Sequence, residues 1–176
     1  MFLTDSVPDD RNVHEILRNL SLLRPLGVPP DGMTLPGLYP DDADRAAVDA
    51  FLAAQPGLDP GRLVAVAPGS VWNTKRWIPE HFAGLIRQLV GSGLSVVLVG
   101  GEADRELCRE IRVAAGTRGV VDAAGEFSIL RSAEVIRRCR VCVSNDSAPM
   151  HLAVAMRTPV VALFGATVPE FGFGPA

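Results

Sequence analysis

The feature that most constrains the fold of this chain is an alternation, from residue 62 onward, of short apolar runs with amphipathic segments. The apolar runs lack polar alternation, which is typical of strands buried on both faces of a parallel sheet. We therefore predict βαβ units joined by right-handed crossovers into a doubly wound parallel α/β sheet. The predicted strands are 63–67, 94–99, 120–121, 141–143 and 159–164, and the predicted helices are 79–90, 103–115, 128–138 and 149–156.

The beginning of the chain has a different pattern. Apolar spacing predicts helices over 13–26 and 42–54, joined by a connector rich in Pro and Gly. Such a segment is too short and too interrupted to form its own core. We interpret 1–60 as the last helix of a preceding domain plus an interdomain linker, and 61–176 as the sheet domain. Because 171–176 has a loop-like composition and no closing helix, we expect this domain to be truncated at its C-terminus.

Charge and cysteine content exclude several classes of protein. A net charge of −3 argues against a nucleic-acid partner, since such proteins usually carry a basic excess. No apolar run reaches the roughly 20 residues of a transmembrane helix, and residues 1–6 do not have the pattern of a signal peptide. The three cysteines are odd in number and lack metal-ligand spacing. We therefore expect reduced cysteines, no metal site and a cytoplasmic location.

The most informative cluster of polar residues follows the fourth predicted strand, as Asn145-Asp146-Ser147. A strand that turns at once into a helix exposes the unpaired N–H groups and positive dipole of the helix N-terminus. Ligands of open α/β sheets bind beyond the carboxyl ends of the strands, so a phosphate group is the expected ligand. All three residues are also good helix caps, which is the structural alternative. A lone histidine in the first turn, His151, more often packs beneath a loop than contacts a ligand.

A loop with two cations follows the first predicted strand. Ser70 and Thr74 offer hydroxyl groups, and Lys75 and Arg76 supply positive charge for a phosphate. The spacing is not that of a P-loop. A solvated basic loop whose tryptophans cover the core explains the same residues equally well.

The ends of the second and third predicted strands carry weaker signals. Glu102 is placed to accept the hydroxyls of a ribose, although it equally complements the dipole of the next helix. Phe127 can offer its ring face to a base. Ser128, directly after it, is more simply a helix N-cap.

Six blocks of residues, in order over 62–170, resemble one known family, the ADP-heptose:lipopolysaccharide heptosyltransferases of glycosyltransferase family 9. The combination is specific, although each block alone is weak. The blocks are Pro68-Gly69-Ser70, Thr74-Lys75-Arg76-Trp77-Ile78-Pro79, Gly100-Gly101, Gly125-Glu126-Phe127-Ser128-Ile129, Asn145 to Leu152, and Leu163-Phe164-Gly165-Ala166-Thr167.

The resemblance implies a GT-B architecture, in which two Rossmann-like domains face each other across a cleft. Residues 61–176 would be the nucleotide-sugar-binding half. The implied reaction is an inverting transfer of heptose from ADP-heptose to a lipopolysaccharide core, without a metal or other cofactor. The glycolipid acceptor would be held by an N-terminal domain, and the complete enzyme would lie at the periphery of the inner membrane.

The resemblance also assigns roles to matching positions. Lys75 and Asp146 are the expected catalytic residues, because they would neutralise the departing diphosphate and hold the heptose. The expected substrate-binding residues are Ser70 and Lys75 at the diphosphate, Thr74 beside Lys75 in the same loop, Glu102 at the ribose, Phe127 at the adenine, Asp146 at the heptose, and Ser147, Ala148, Met150 and His151 in the turn that completes the phosphate site.

Two departures from the family pattern matter. Ala148 stands where the family has Gly, which can hinder a close approach of phosphate. The family's general base lies near the start of the N-terminal domain, which we expect to be missing, so the isolated fragment is expected to be inactive.

The main alternative is a nucleotide-sugar-binding module without catalysis, from a truncated or degenerate gene. A flavodoxin-like or receiver-type domain also fits the alternation of strands and helices. That interpretation ranks lower, because no acidic pair follows the first strand.

Overall fold

The computed structural model describes residues 5–10, 12–29, 35–169 and 174–175. A five-stranded sheet forms its centre, in the order β3-β2-β1-β4-β5. Every neighbouring pair of strands is parallel. The prediction of a doubly wound parallel sheet is therefore confirmed. The strands are β1 (Leu63–Ala67), β2 (Ser95–Leu98), β3 (Val120–Asp122), β4 (Cys142–Asn145) and β5 (Val160–Leu163).

Helices connect these strands as the sequence predicts. Ser128 caps the helix after β3, since its side chain accepts a hydrogen bond from the Arg131 amide. The helix after β2 starts slightly later than predicted, because a 3₁₀ turn over Glu102–Asp104 precedes it. The six helices of the described residues are α1 (Glu15–Ser21), α2 (Asp42–Ala53), α3 (Pro79–Gly91), α4 (Arg105–Ala115), α5 (Ile129–Arg137) and α6 (Ala148–Ala155).

The sheet separates two apolar clusters. On one face, Phe82 and Ile86 of α3 and Ile111 of α4 pack on the strands. On the other face, helices α2, α5 and α6 supply the cluster. All three cysteines are free and buried, and burial raises the pKa of Cys108 and of Cys142 to about 12. These thiols therefore stay protonated at neutral pH, in agreement with a packing role.

The first predicted helix is shorter than expected. The pattern predicted a helix over 13–26, whereas α1 covers Glu15–Ser21 and a separate 3₁₀ turn covers Arg24–Leu26. Pro25, in that turn, has no N–H group and cannot continue an α-helix. No residue of α1 is fully buried, and most of them are half-buried.

Helix α2 packs firmly on the sheet. Val48 and Leu52 belong to the same apolar cluster as β1 and β2. Asp44 accepts a hydrogen bond from Arg131 of α5 at 3.0 Å. The segment before residue 61 thus contributes to the core, while the proposed division of the chain at residues 60 and 61 stays a prediction. The predicted connector includes residues 30–34, and the predicted terminal loop includes 171–173 and 176, all of which lie outside the described residues.

The order of the strands fixes where a ligand can bind. The chain runs outward from β1 to β3 on one side, and then returns to add β4 and β5 on the other. Ala67 pairs with Ser144, so the carboxyl ends of β1 and β4 lie side by side. Loops leaving these two strands diverge to opposite faces of the sheet, which opens a crevice between them.

Candidate functional site

A cleft with a volume of about 520 Å³ lies at this crevice. The cleft is lined by residues that follow four of the five strands. Most of the lining is apolar, with a few polar groups, as is usual for a small-molecule site. The lining residues are Gly69, Ser70, Val71, Arg76, Val99, Gly100, Gly101, Ala103, Asp104, Phe127, Ile129, Ser132, Ser147, Ala148, Pro149 and Leu152.

Four of the predicted site residues line the cleft, namely Ser70, Phe127, Ser147 and Ala148. The others are distributed around it. Lys75 and Asp146 are not among the lining residues, although each is followed in the chain by one that is. Thr74 is exposed beside Lys75, and its carbonyl oxygen lies against Gly165, where a Cβ atom would come within 3.1 Å of it.

The cationic loop after β1 meets the polar turn after β4. Lys75 Nζ donates to Asp146 Oδ2 at 2.6 Å, and Thr167 Oγ1 donates to the same oxygen at 2.7 Å. Only 7% of the Asp146 side chain and 24% of the Lys75 side chain are exposed. The cationic loop and the polar turn, 71 residues apart in sequence, therefore meet at the same edge of the sheet.

The protonation state of Asp146 follows from these contacts. Burial favours the neutral carboxyl, but the hydrogen bonds from Lys75 and Thr167 and the charge of Lys75 outweigh this effect. Together they hold the pKa of Asp146 below its usual value. In the free protein the charge on Lys75 is thus balanced by a carboxylate.

The turn before α6 does not cap the helix with its side chains. Ser147 is the N-cap residue, yet its side chain makes no capping hydrogen bond, and its Oγ donates to the Asn145 carbonyl oxygen at 3.3 Å. Interpreting Asn145, Asp146 and Ser147 as helix caps is therefore wrong for the side chains. The uncapped end of α6 forms one wall of the cleft through Ser147, Ala148 and Pro149.

Two residues of this turn differ from expectation in position. Met150, in the first turn of α6, is fully buried and does not line the cleft. His151 is exposed, and loss of part of its hydration, partly offset by Asp146, lowers its pKa. The backbone of Ala148 is not in the left-handed region, since Arg157 is the one non-glycine residue with positive φ in the described ranges. Alanine therefore fits this position without backbone strain.

A network of charges occupies the ends of β2 and β3. Arg105 donates from Nε to Glu102 Oε2, from Nη1 to Glu126 Oε1 and from Nη2 to the Gly125 carbonyl, each at 2.8 Å. Glu102 is exposed and does not belong to the cleft lining. The sequence did not suggest that its carboxylate would be held by an arginine three residues away, although that spacing is favourable near a helix start.

The carboxylate that lines the cleft at the end of β2 is Asp104. Its Oδ2 accepts a hydrogen bond from the Gly101 amide at 2.9 Å. A Cβ atom added at Gly69 would come within 2.2 Å of Asp104 Oδ1, and one at Gly100 within 2.7 Å of Asp104 Cβ. The two glycines therefore leave the space in which this side chain lies.

The ring of Phe127 is supported by the N-terminal segment. Phe51 of α2 meets it edge to face, with ring centroids 5.0 Å apart and an interplanar angle of 74°. No sequence pattern indicated this contact, because it joins elements far apart in the chain.

No helix within the described ranges is both long enough and apolar enough to cross a membrane.

Comparison with known proteins agrees with this geometry. Residues 1–175 match the model of glycosyltransferase family 9 (heptosyltransferase). The chain is 36% identical over 113 residues to lipopolysaccharide heptosyltransferase 2 of Escherichia coli K12, which covers 62% of this chain and 32% of that protein.

Solved structures give the same result. The glycosyl transferase family 9 protein of Veillonella parvula DSM 2008 aligns with a TM-score of 0.89 and 28% identity, over 99% of this chain and 51% of that chain. The ADP-heptose lps heptosyltransferase II of E. coli aligns with a TM-score of 0.71 and 28% identity, over 86% of this chain and 46% of that chain. This chain therefore spans about half the length of each solved relative. The chain belongs to glycosyltransferase family 9.

Proposed function

We propose that this chain is the donor-binding half of a glycosyltransferase that transfers a heptose from ADP-heptose to a lipopolysaccharide core acceptor. One observation carries the proposal: the Lys75 ammonium contacts Asp146, directly before the uncapped N-terminus of α6 that lines the cleft, and a diphosphate bound there needs positive charge. Family membership and the named donor of the E. coli relative support the choice of ADP-heptose. A second Rossmann-like domain would hold the acceptor.

The proposed reaction is an inverting displacement. The acceptor oxygen attacks the anomeric carbon, the bond from that carbon to the diphosphate oxygen breaks, and ADP leaves with the electron pair. The acceptor proton passes to a base in the second domain. Lys75, the Ser70 hydroxyl and the amides of Ser147 and Ala148 would stabilise the charge that develops on the ADP, as preplaced donors do. A metal would then be unnecessary, and transfer that stops when EDTA is added would contradict this part.

Asp146 is the proposed partner of the heptose hydroxyls. Asp146→Asn keeps the shape of the side chain but removes the charge that offsets Lys75. We expect ADP affinity to be equal or higher, whereas the preference for ADP-heptose over ADP should fall by about 1.5–3 kcal/mol, the usual contribution of a hydrogen bond to a charged group. Calorimetric titration of both ligands measures this difference. Equal losses for ADP and ADP-heptose would show that Asp146 does not contact the sugar.

The ribose is proposed to bind at the end of β2, near both Glu102 and Asp104. Because Asp104 lines the cleft and Glu102 is held by Arg105, we expect Asp104 to accept the ribose hydroxyls and Glu102 to act by placing Arg105. Asp104→Asn should weaken ADP binding by about 1–2 kcal/mol, and its effect on 2′,3′-dideoxy-ADP should be small. Glu102→Gln is the matched control and should change little. A larger loss in the control would assign the ribose to Glu102.

The activity itself is tested by completing the enzyme. We would join this chain to the part of E. coli lipopolysaccharide heptosyltransferase 2 that it does not match, and measure heptose transfer to a core acceptor. Transfer that depends on Lys75 supports the proposal. Tight ADP-heptose binding without any transfer would favour the non-catalytic nucleotide-sugar-binding module instead.

A further inference from the structure

The side chain of Asn145, at the end of β4, is completely buried and hydrogen-bonded at both ends. Its Nδ2 donates to the Pro68 carbonyl at 2.8 Å, and its Oδ1 accepts from the Trp77 amide at 3.0 Å. The partners fix the orientation of the amide, because a carbonyl must face the NH₂ group and a backbone N–H must face the oxygen. One side chain thereby connects two points of the main chain that are nine residues apart.

These two points are the ends of the loop that carries the proposed phosphate ligands. The loop, residues 69–76, starts directly after Pro68 and ends directly before Trp77. Within it, Arg76 Nε donates to the Ser70 carbonyl at 2.8 Å, and Lys75, the second-last residue of the loop, is held by Asp146. Asn145 therefore closes the base of the loop, and Asp146, the next residue along the chain, holds the Lys75 side chain near the end of the loop.

The hydrogen-bond partners of Asn145 restrict which side chain can occupy this position. A side chain here must offer one donor and one acceptor in a plane, within a space that excludes water. Aspartate has the same shape but, when ionised, cannot donate to the Pro68 carbonyl. An apolar side chain would leave the buried Pro68 carbonyl and the partly buried Trp77 amide both unpaired.

We propose that Asn145 is a positioning residue that closes the donor loop in the free protein, so that Ser70 and Lys75 are already in place when the diphosphate arrives. This inference rests on the proposed donor site, and goes beyond it by assigning a role to a residue that does not reach the ligand. Binding then avoids the entropy of ordering a loop and its long side chains, which is the general advantage of preorganisation.

The test uses Asn145→Asp, because its charge can be switched. At about pH 8 the new carboxylate faces the Pro68 carbonyl and the loop should open, which weakens ADP-heptose binding on the order of tenfold. Burial raises the pKa of such a carboxyl, so the side chain should be neutral at about pH 5 and again donate to the Pro68 carbonyl. Most of the ADP-heptose affinity should then return, measured relative to wild type at the same pH. Asn145→Ala should lose affinity at both values, which separates loop closure from simple repulsion of the phosphates.

Thr158→Val is the matched control. Thr158 is also buried, and its Oγ1 donates to the Ile136 carbonyl at 3.2 Å, at the amino edge of the sheet, away from the cleft. This variant removes a buried hydrogen bond but should bind ADP-heptose as wild type does. Two results would overturn the proposal and make Asn145 a general stabilising residue. One is an equal loss of ADP-heptose affinity in Thr158→Val and Asn145→Ala. The other is wild-type affinity in both Asn145 variants.

A second readout does not depend on the donor. Trypsin cleaves after Lys75 and Arg76, and needs a locally opened chain to do so. Under native conditions Asn145→Ala should be cut in this loop faster than wild type and Thr158→Val. If wild type binds no ADP-heptose but this order of cleavage holds, the proposed function fails while the role of Asn145 in closing the loop stands. If cleavage is equal in all three, the role of Asn145 is wrong.

Discussion

Replacing Lys75 by alanine is expected to weaken binding of both ADP and ADP-heptose by about 1.5–3 kcal/mol, which is roughly a 10- to 150-fold loss in affinity. The physical reason is that Lys75 is the cation that reaches the polar turn, with its Nζ 2.6 Å from Asp146. When the cation is removed, the Asp146 carboxylate has Thr167 as its remaining hydrogen-bond partner and repels a diphosphate. Its pKa should rise as a result. Titration calorimetry on the folded variant, with both ligands, measures the loss.

The control for this prediction removes the same charge elsewhere. Arg109 on α4 is exposed and pairs with Glu106 at the surface, away from the cleft lining. Arg109→Ala should leave ADP binding unchanged, since exposed pairs are screened by solvent. A Lys75→Ala variant that binds ADP as tightly as wild type would remove Lys75 from the phosphate site and leave the proposed mechanism without its cation.

Phe82→Ala is expected to have the largest effect on stability, a decrease of about 3–5 kcal/mol in the free energy of unfolding. Phe82 is fully buried on α3 and is among the largest side chains of the core. Its ring also meets Trp77 edge to face, with centroids 5.1 Å apart and an interplanar angle of 78°. Truncation therefore leaves a cavity and removes the support of the residue at which the donor loop ends. Urea unfolding followed by circular dichroism gives the difference.

His81→Ala provides the comparison for Phe82→Ala. His81 also contacts Trp77, with ring centroids 5.2 Å apart, but it is exposed. Its removal should change the free energy of unfolding by less than about 1 kcal/mol, as is usual at exposed positions. Similar losses in the two variants would show that the contact with Trp77, rather than burial of Phe82, dominates.

The fold was predictable because its signals are local and repeated. Runs such as Leu63–Ala67 and 96–99 are apolar throughout, so they had to be buried on both faces, and the helices between them required parallel pairing. The exception was the helix over 13–26. There the apolar spacing predicted a helix that continued past Pro25, whereas α1 ends at Ser21 in the structure.

The site was predictable only in outline. Lys75 and Asp146 could be expected to meet, because the carboxyl ends of parallel strands share one edge. Their hydrogen bond depends on the position of β4 beside β1, which no local pattern fixes. The same holds for the contacts of Asn145 with Pro68 and Trp77.

Side-chain direction was the second limit. Met150 belongs to the resembling block, yet helical geometry turns it into the core. Asp104 was not among the predicted site residues, yet the absence of side chains at Gly69 and Gly100 leaves its carboxylate room at the cleft.

The most direct test of the central claim is a crystal structure of this chain with ADP-heptose bound. We predict the diphosphate in the cleft, with a phosphate oxygen within hydrogen-bond distance of Lys75 Nζ and another within reach of the Ser147 or Ala148 amide. A nucleotide bound elsewhere, or a diphosphate in the cleft while Lys75 remains paired with Asp146 alone, would contradict the account.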